Sequence, residues 1–210
     1  SPKRMQKHIN ILIVDDEPLI ADDIAGHLKE AGYTNIACVF DSDDTIRQLN
    51  NGDVDFLLLD INLNSGMKGT DIARLVNSEY HLPFVFITSY ADTQTIQEVK
   101  ALHPVGYIVK PFNGREIHAV LEVGYELFYT YMGKAEEFNL EKLNKLASEE
   151  LTQKEFEVVK KIAEGKNNKQ ISEELFVSVN TIKTHLKNIF VKLDVASRSE
   201  AMVLINKSKM

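Results

Sequence analysis

The sequence contains a single cysteine and no tryptophan among its 210 residues. Cys38 has no second cysteine to pair with, which excludes an internal disulfide, and its place in an apolar run predicts a buried thiol in a reducing compartment. No apolar run approaches the roughly 18 residues that a membrane-spanning helix needs, and no signal peptide precedes the first predicted strand. The sequence therefore predicts a cytoplasmic protein without a membrane partner.

Charge is unevenly distributed along the chain, whose net charge is -7. Residues 1–132 hold ten basic and nineteen acidic side chains, a net of -9, and residues 133–147 hold three of each. Residues 148–210 hold eleven basic and nine acidic side chains, a net of +2. This asymmetry favours two domains that have different partners.

Apolar strands alternate with amphipathic helices through the first 130 residues. The predicted strands are 9–14, 36–40, 56–60, 83–88 and 107–109. The predicted helices are 18–31, 41–49, 70–79, 92–102 and 114 to about 132. Such alternation is typical of an α/β domain with a five-stranded, parallel, doubly wound sheet of the flavodoxin-like type.

Polar side chains follow the predicted strands at the points where four of them end. They are Asp15, Asp16, Asp60, Thr88 and Lys110. An acid after a strand is more commonly a solvated turn or a helix cap, but ligands bind beyond the carboxyl ends of such strands. Five polar groups at one edge of the sheet favour a functional site.

Three carboxylates in one crevice repel each other unless a cation joins them. Mg²⁺ suits this set because it takes oxygen ligands, keeps waters and leaves a position for a phosphoryl oxygen. Asp60 could then attack phosphorus to form an aspartyl phosphate. Lys110 would neutralise charge, and the Thr88 hydroxyl could bond the phosphoryl oxygens.

Four short motifs resemble those of the receiver domain of two-component response regulators. They are Val14-Asp15-Asp16-Glu17-Pro18, Leu59-Asp60, Thr88-Ser89 and Lys110-Pro111-Phe112. The resemblance implies that Asp60 is the phosphoacceptor and that a partner histidine kinase supplies the phosphate. It also implies Mg²⁺ ligands at Asp15, Asp16, Asp60 and the main-chain carbonyl of Asn62. Thr88 and Lys110 would be catalytic, Thr88 and Tyr107 would be switch residues, and the bond before Pro111 would be cis.

The loop after Asp60 is about one residue longer than is usual in that family and lacks the common proline, which leaves the shape of the pocket rim open. Phosphatases of the haloacid dehalogenase type also form an aspartyl phosphate, but they require a second aspartate two residues on. Asn62 occupies that position, so a phosphatase is the disfavoured alternative. We expect no enzyme activity beyond self-phosphorylation and self-dephosphorylation.

Phosphorylation of Asp60 is expected to change the surface of the receiver domain through Thr88 and Tyr107. Thr88 moving towards the phosphoryl group would open space that Tyr107 fills by turning inward.

The end of the fifth helix, from Phe128 to Met132, carries more apolar area than one face can bury and predicts a partner surface. Residues 131–147 are charged yet keep helical spacing, which predicts a helical connector.

Residues 148–210 predict an all-α domain of four helices. Thr152-x-x-Glu155 and Ser197-x-x-Glu200 are capping boxes, and Ser178 begins a third helix after a tight turn. Residues 168–187 therefore predict a helix-turn-helix motif. The apolar stripe of the third helix faces the core, while the face with Asn180, Lys183, Thr184, Lys187 and the nearby Lys192 suits DNA. A solvated face, or an adaptor that binds RNA or protein, is the alternative.

The order of motifs from Leu151 to Arg198 resembles the LuxR/FixJ/NarL-type DNA-binding domain. That resemblance implies DNA contacts from Val179, Lys183, Thr184 and Lys187, and a dimerisation role for the last helix. The predicted division is a receiver domain at 9–130, a connector at 131–147 and a DNA-binding domain at 148–210. Together they predict a phosphorylation-dependent transcriptional regulator that binds double-stranded DNA as a homodimer, activated by release of an occluded domain or by dimer assembly.

Overall fold

The computed structural model describes residues 8–64, 66–89, 96–129 and 140–208. The strands are β1 (Asn10–Val14), β2 (Asn35–Val39), β3 (Phe56–Asp60), β4 (Phe84–Ser89) and β5 (Gly106–Lys110). The helices of the first half are α1 (Pro18–Glu30), α2 (Ser42–Asn50), α3 (Gly69–Leu75), a π-helix (Val76–Tyr80), α4 (Ile96–Lys100) and α5 (Gly114–Tyr129). Those of the second half are α6 (Leu140–Asn144), α7 (Gln153–Ala163), α8 (Asn168–Glu174), α9 (Val179–Lys192) and α10 (Arg198–Lys207).

The five strands form one parallel sheet in the order β2-β1-β3-β4-β5, which confirms the flavodoxin-like fold. Strand β3 lies at the centre and is buried along its whole length, because helices cover both faces of the sheet. Its neighbours are β1 and β4. The carboxyl ends of β1, β3, β4 and β5 therefore meet at one edge, and their amino ends meet at the opposite edge.

The predicted third helix differs from the observed one. Helix α3 ends at Leu75 and continues as the π-helix, after which His81 adopts a left-handed conformation with φ 57°. Both Val76 and Tyr80 are buried, and a wider helical turn satisfies that apolar spacing as well as an α-helix does. The spacing alone therefore could not show the change of helix type.

Two predictions lie partly outside the described residues. The fourth helix was expected from Asp92, and its described part, α4, ends at Lys100. The aromatic end of the fifth helix near Met132 and residues 131–139 of the connector also lie outside. Within 140–147 only α6 is helical, because the chain turns after Asn144 and Leu143 is buried in the core of the second half.

Helices α7 to α10 enclose a single apolar core, as predicted. Thr152 and Asn167 begin α7 and α8 with complete capping boxes, and the Ser178 hydroxyl accepts the Thr181 amide at the start of α9. These caps satisfy main-chain donors that would otherwise lack partners, so they set where each helix begins. In the described part of the chain, no helix has the length and apolar character needed to cross a membrane.

Candidate functional site

The carboxylates predicted from the strand ends converge. One oxygen each of Asp15, Asp16 and Asp60 lies within 4.8 Å of the others, in the crevice beyond the carboxyl ends of β1 and β3. Asp15 and Asp60 are buried, and Asp16 is half-buried. The parallel pairing of β1 with β3 produces this arrangement, because it brings both strand ends to the same edge.

Lys110 completes the crevice from β5. Its Nζ lies 3.0 Å from Oδ2 of Asp60, 3.2 Å from Oδ2 of Asp15 and 3.5 Å from Oε1 of Glu17. Burial alone would lower the pKa of Lys110, but Asp60 and Asp15 raise it above its ordinary value, so the ammonium stays charged. The Lys110–Pro111 peptide bond is cis, as the resemblance implied.

The environment of Asp15 suits a divalent cation. Its Oδ1 accepts the Glu17 amide at 2.9 Å, whereas the buried Oδ2 lies 3.2 Å from the Lys110 ammonium but accepts no well-formed hydrogen bond from the described residues. Burial and the nearby Asp60 carboxylate raise the pKa of Asp15 to about 6. A buried oxygen without a hydrogen bond, together with two more carboxylates, is a donor set that a hard cation such as Mg²⁺ would satisfy.

The loop after Asp60 is packed against the crevice. The Asn62 amide donates to Oδ1 of Asp60 at 2.8 Å, and both the amide and the Nδ2 of Asn64 donate to Oδ2 of Asp16 at 3.1 Å. A Cβ on Gly69 would lie 1.9 Å from the Asp60 carbonyl oxygen, so only glycine fits there. Sequence reasoning identified the unusual loop but missed Asn64, because a contact 48 residues apart leaves no local signal.

Thr88 ends β4 next to β3, on the same edge as the carboxylates, and Tyr107 lies on the neighbouring strand β5. The Tyr107 side chain is 37 % exposed and lines a cleft of about 640 Å³ between the two halves of the chain. Val203 and Glu200 of α10 line the other side of this cleft. The predicted switch residue thus faces the second half of the chain directly.

The recognition helix α9 buries the apolar stripe that was predicted and leaves Asn180, Thr184 and Lys187 exposed. Lys183 is different, since its Nζ lies 4.3 Å from the ring centroid of Tyr80, and burial lowers the pKa of this lysine. A Cβ built on Gly52 would lie 3.4 Å from Cγ1 of Val179. Two of the five predicted DNA contacts therefore face the first half of the chain.

The two halves meet at the amino-terminal edge of the sheet, opposite the carboxylate crevice. The polar contacts, with their distances, join Asn167 to Asp55 (2.9 Å), Asn168 to the Tyr80 carbonyl (2.8 Å), Lys169 to Asp53 (2.8 Å) and His103 to Glu200 (2.8 Å). Sequence reasoning left open that the two domains occlude each other, but it did not identify the residues of this interface. The one local signal was Asp55, an acid that directly precedes the fully apolar strand β3.

Lys192 was grouped with the DNA-facing cations, and the structure corrects that grouping. Its Nζ lies 2.9 Å from Oε2 of Glu155 and donates to the Glu150 carbonyl at 3.0 Å. Burial alone would raise the pKa of Glu155, but Lys192 and the Thr152 amide hold it below its ordinary value. Lys192 therefore stabilises the start of α7 and is not available to DNA.

Comparison with protein families agrees with this geometry. The family model "Response regulator receiver domain" matches residues 11–122, more than half of the chain. The model "Bacterial regulatory proteins, luxR family" matches residues 149–205. The two matches coincide with the carboxylate crevice and with the helix-turn-helix, respectively.

Curated relatives match both halves together. The chain is 29% identical over 209 residues to the transcriptional regulatory protein LiaR of Bacillus subtilis, covering 96% of this chain and 99% of the relative. It is 28% identical over 202 residues to the nitrate/nitrite response regulator protein NarP of Escherichia coli, covering 92% of this chain and 93% of that protein.

Solved structures agree on the fold. Full-length FixJ from B. japonicum has a TM-score of 0.54 at 21% identity, covering 95% of this chain and 96% of its own. The receiver domain of NtrX from Brucella abortus has a TM-score of 0.53 at 28% identity, covering 56% of this chain and 98% of its own. With both of its parts matched, the chain belongs to the two-component response regulators, as a receiver domain joined to a LuxR-type helix-turn-helix DNA-binding domain that regulates transcription.

Proposed function

We propose that Asp60 accepts a phosphoryl group from a partner histidine kinase and that this transfer controls DNA binding by α9. The observation that carries the proposal is the convergence of Asp15, Asp16 and Asp60 within 4.8 Å, with Lys110 in contact with two of them. Such an arrangement positions a carboxylate nucleophile and neutralises charge, which is most of what phosphoryl transfer requires of a protein.

Receiver domains bind Mg²⁺ at an acidic pocket, and this donor set fits the ion. Asp15, Asp16, Asp60 and the main-chain carbonyl of Asn62 would hold it, and bound Mg²⁺ would neutralise charge on the phosphoryl oxygens. Among the chain's own residues, Lys110 stabilises the same oxygens from the β5 side. Asn64 keeps the Asp16 carboxylate oriented through its two hydrogen bonds.

An oxygen of the Asp60 carboxylate would attack phosphorus while the bond from phosphorus to the kinase histidine nitrogen breaks. The bonding pair returns to that nitrogen, and the histidine leaves as the neutral imidazole after taking up a proton from water. No proton has to leave Asp60, because it reacts as the carboxylate. The Lys110 ammonium, 3.0 Å away, holds this carboxylate in place in the crevice.

The output is duplex DNA, bound by Val179, Asn180, Lys183, Thr184 and Lys187. In the unphosphorylated chain the receiver competes with DNA for part of this surface. Asp53 pairs with Lys169 and the Tyr80 ring covers Lys183, so a receiver carboxylate and a ring lie where DNA phosphates and bases would bind. This overlap favours release of the output domain as the regulated step.

Phosphorylation would be coupled to release through Thr88 and Tyr107, since Tyr107 lines the cleft against α10. A homodimer would follow release, with two recognition helices on half-sites about one helical turn apart. Helix α10, the proposed dimerisation element, is partly engaged by His103 through Glu200 before release.

Selection of bound duplexes from genomic fragments, with and without acetyl phosphate, tests this function. We expect specific fragments to be enriched with the phosphoryl donor and the enrichment to be lost in Asp60→Asn. Equal enrichment with and without the donor would remove the regulatory part of the proposal. No retention of duplex DNA in either condition would favour the adaptor alternative.

A further inference from the structure

His81 occupies an unusual place for a histidine. It follows the π-helix in a left-handed conformation at the amino-terminal edge of the sheet, and its side chain is 2 % exposed. The imidazole packs edge-on against the Phe190 ring of α9, with the ring centroids 4.5 Å apart. The histidine is therefore buried between the receiver and the recognition helix rather than within either domain.

The two ring nitrogens of His81 lack hydrogen-bond partners in the part of the chain that the structure describes. Both Nδ1 and Nε2 are buried and unpaired among the described residues. The largest charge effects on it come from cations, namely Arg198 of α10, whose Nη1 lies 3.5 Å from the His81 carbonyl oxygen, and Lys183 and Lys187 of α9. The buried acid of this interface, Asp55, interacts with Arg198. On its own side, Glu79 of the π-helix interacts electrostatically with Lys183.

Burial is the main cause that lowers the pKa of His81 to about 4, and Arg198, Lys183 and Lys187 lower it further. The main chain of Asn77 counteracts part of this shift, although the contact lacks hydrogen-bond geometry. A neutral imidazole is compatible with this interface, whereas an imidazolium would add a buried positive charge next to Arg198, Lys183 and Lys187.

We propose that His81 makes the closed receiver–output interface acid-sensitive, so that protonation of this one side chain releases α9 without phosphorylation. The proposal rests on the occlusion described under the proposed function and adds a second input to the same interface. Its geometry is independent of the carboxylate crevice, since His81 lies at the opposite edge of the sheet.

The direction of the pH effect on closure follows from proton linkage. The pKa of His81 is low in the closed state and returns towards about 6.5 once the ring reaches water, so the open state binds more protons. Closure is therefore strongest above pH 6.5 and weakens as the pH falls. A pKa of about 4 when closed makes opening roughly four-fold more favourable at pH 6.0 than at pH 7.5.

A second interface histidine acts in the opposite direction. The Nε2 of His103 lies 2.8 Å from Oε1 of Glu200, so a protonated His103 would strengthen closure. An experiment must therefore compare variants at each pH instead of following the wild type alone.

The test uses the full-length, unphosphorylated protein and a random-sequence duplex at low salt. His81→Asn tolerates the left-handed backbone, and His81→Phe keeps the packing on Phe190, so the two variants guard against a folding defect. We expect the affinity of the wild type relative to each variant to rise about four-fold from pH 7.5 to 6.0. His103→Gln is the matched control and should keep at least the full wild-type pH response.

A histidine Cε1–H NMR titration of the same protein provides a readout without DNA. We expect the His81 signal, assigned by its loss in His81→Asn, to titrate well below the ordinary histidine pKa of about 6.5 and to return to that range with beryllofluoride and Mg²⁺. A flat affinity ratio, or an ordinary pKa for His81 in the unphosphorylated chain, would overturn the proposal. If no variant binds DNA at any pH, the proposed function fails while the NMR titration still decides the role of His81.

Discussion

Lys183 of the recognition helix directs its ammonium group onto the ring of Tyr80 in the receiver, with Nζ 4.3 Å from the ring centroid. Tyr80 directly precedes His81 at the amino-terminal edge of the sheet, about 16 Å along a strand from the edge that carries Asp60. One domain thus carries the candidate phosphorylation crevice at one edge and covers a candidate DNA-reading residue at the other.

Reversing the charge of Asp53 should open the interface. In Asp53→Lys the contact with Lys169 becomes a repulsion, which should raise the affinity of the unphosphorylated protein for duplex DNA about three- to ten-fold. Asp43→Lys is the control, because it makes the same change of net charge at an exposed position of α2. Equal gains in the two variants by fluorescence anisotropy would mean that net charge, not opening, caused the effect.

Removing the Lys110 ammonium should slow phosphorylation. We expect Lys110→Met to lower the rate of Asp60 labelling by acetyl phosphate about 100-fold, the scale typical of losing one charge-stabilising group. Intact-protein mass spectrometry follows the added phosphoryl group, and the exposed Lys29→Met serves as the control. A rate within two-fold of wild type would exclude the proposed role of Lys110.

Asn64 should affect Mg²⁺ affinity. Asn64→Ala removes the side-chain donor to Asp16 and keeps the main-chain donor, so we expect Mg²⁺ binding to weaken by about ten-fold. Asn64→Asp should weaken Mg²⁺ binding less than Asn64→Ala does, because its added negative charge attracts the ion. Calorimetric titration with Mg²⁺ measures both affinities. Asn51→Ala, at an exposed position, controls for general effects. If Asn64→Ala bound Mg²⁺ as tightly as the wild type, the contact from Asn64 to Asp16 would have no role in orienting that carboxylate.

Two lysines of α9 should have separable roles. Lys192→Met breaks the contact with Glu155, and we expect it to lower the free energy of unfolding of the output domain by about 2 kcal/mol in chemical denaturation. The pKa of Glu155 is lowered, so this contribution is present at neutral pH and is lost as the pH falls below the ordinary carboxylate range.

Lys187→Met is the matched comparison on the same helix. Lys187 is exposed, so its loss should change stability by less than about 0.5 kcal/mol. It should instead weaken duplex binding and reduce the slope of log affinity against log salt by about one. If Lys192→Met reduced that slope and Lys187→Met did not, the assignment of the two lysines would be reversed.

The extent to which the sequence predicted these features depends on whether the signal was local. Asp15, Asp60 and Lys110 each end an apolar strand, and parallel pairing then brings them together without further information. Asn64 and His81 act through partners far along the chain, so no spacing pattern marks them.

Lys192 shows the limit of a pattern more directly. It lies in a run of cations without an acid, and the pattern grouped it with Lys183 and Lys187. Its actual partner, Glu155, comes from another helix, where the sequence already assigned it to a capping box. The sequence pattern could not show the helix type either, since the apolar spacing of Val76 and Tyr80 fits both an α-helix and the observed π-helix.

Phosphorylation of Asp60 should free α9 for DNA, and a binding experiment on the whole chain can show this. The affinity of full-length protein for a selected duplex is measured before and after incubation with acetyl phosphate and Mg²⁺, beside Asp60→Asn treated in the same way. We expect at least a ten-fold gain for the wild type and none for the variant. A phosphorylated wild type whose affinity is unchanged, or an equal gain in Asp60→Asn, would contradict it.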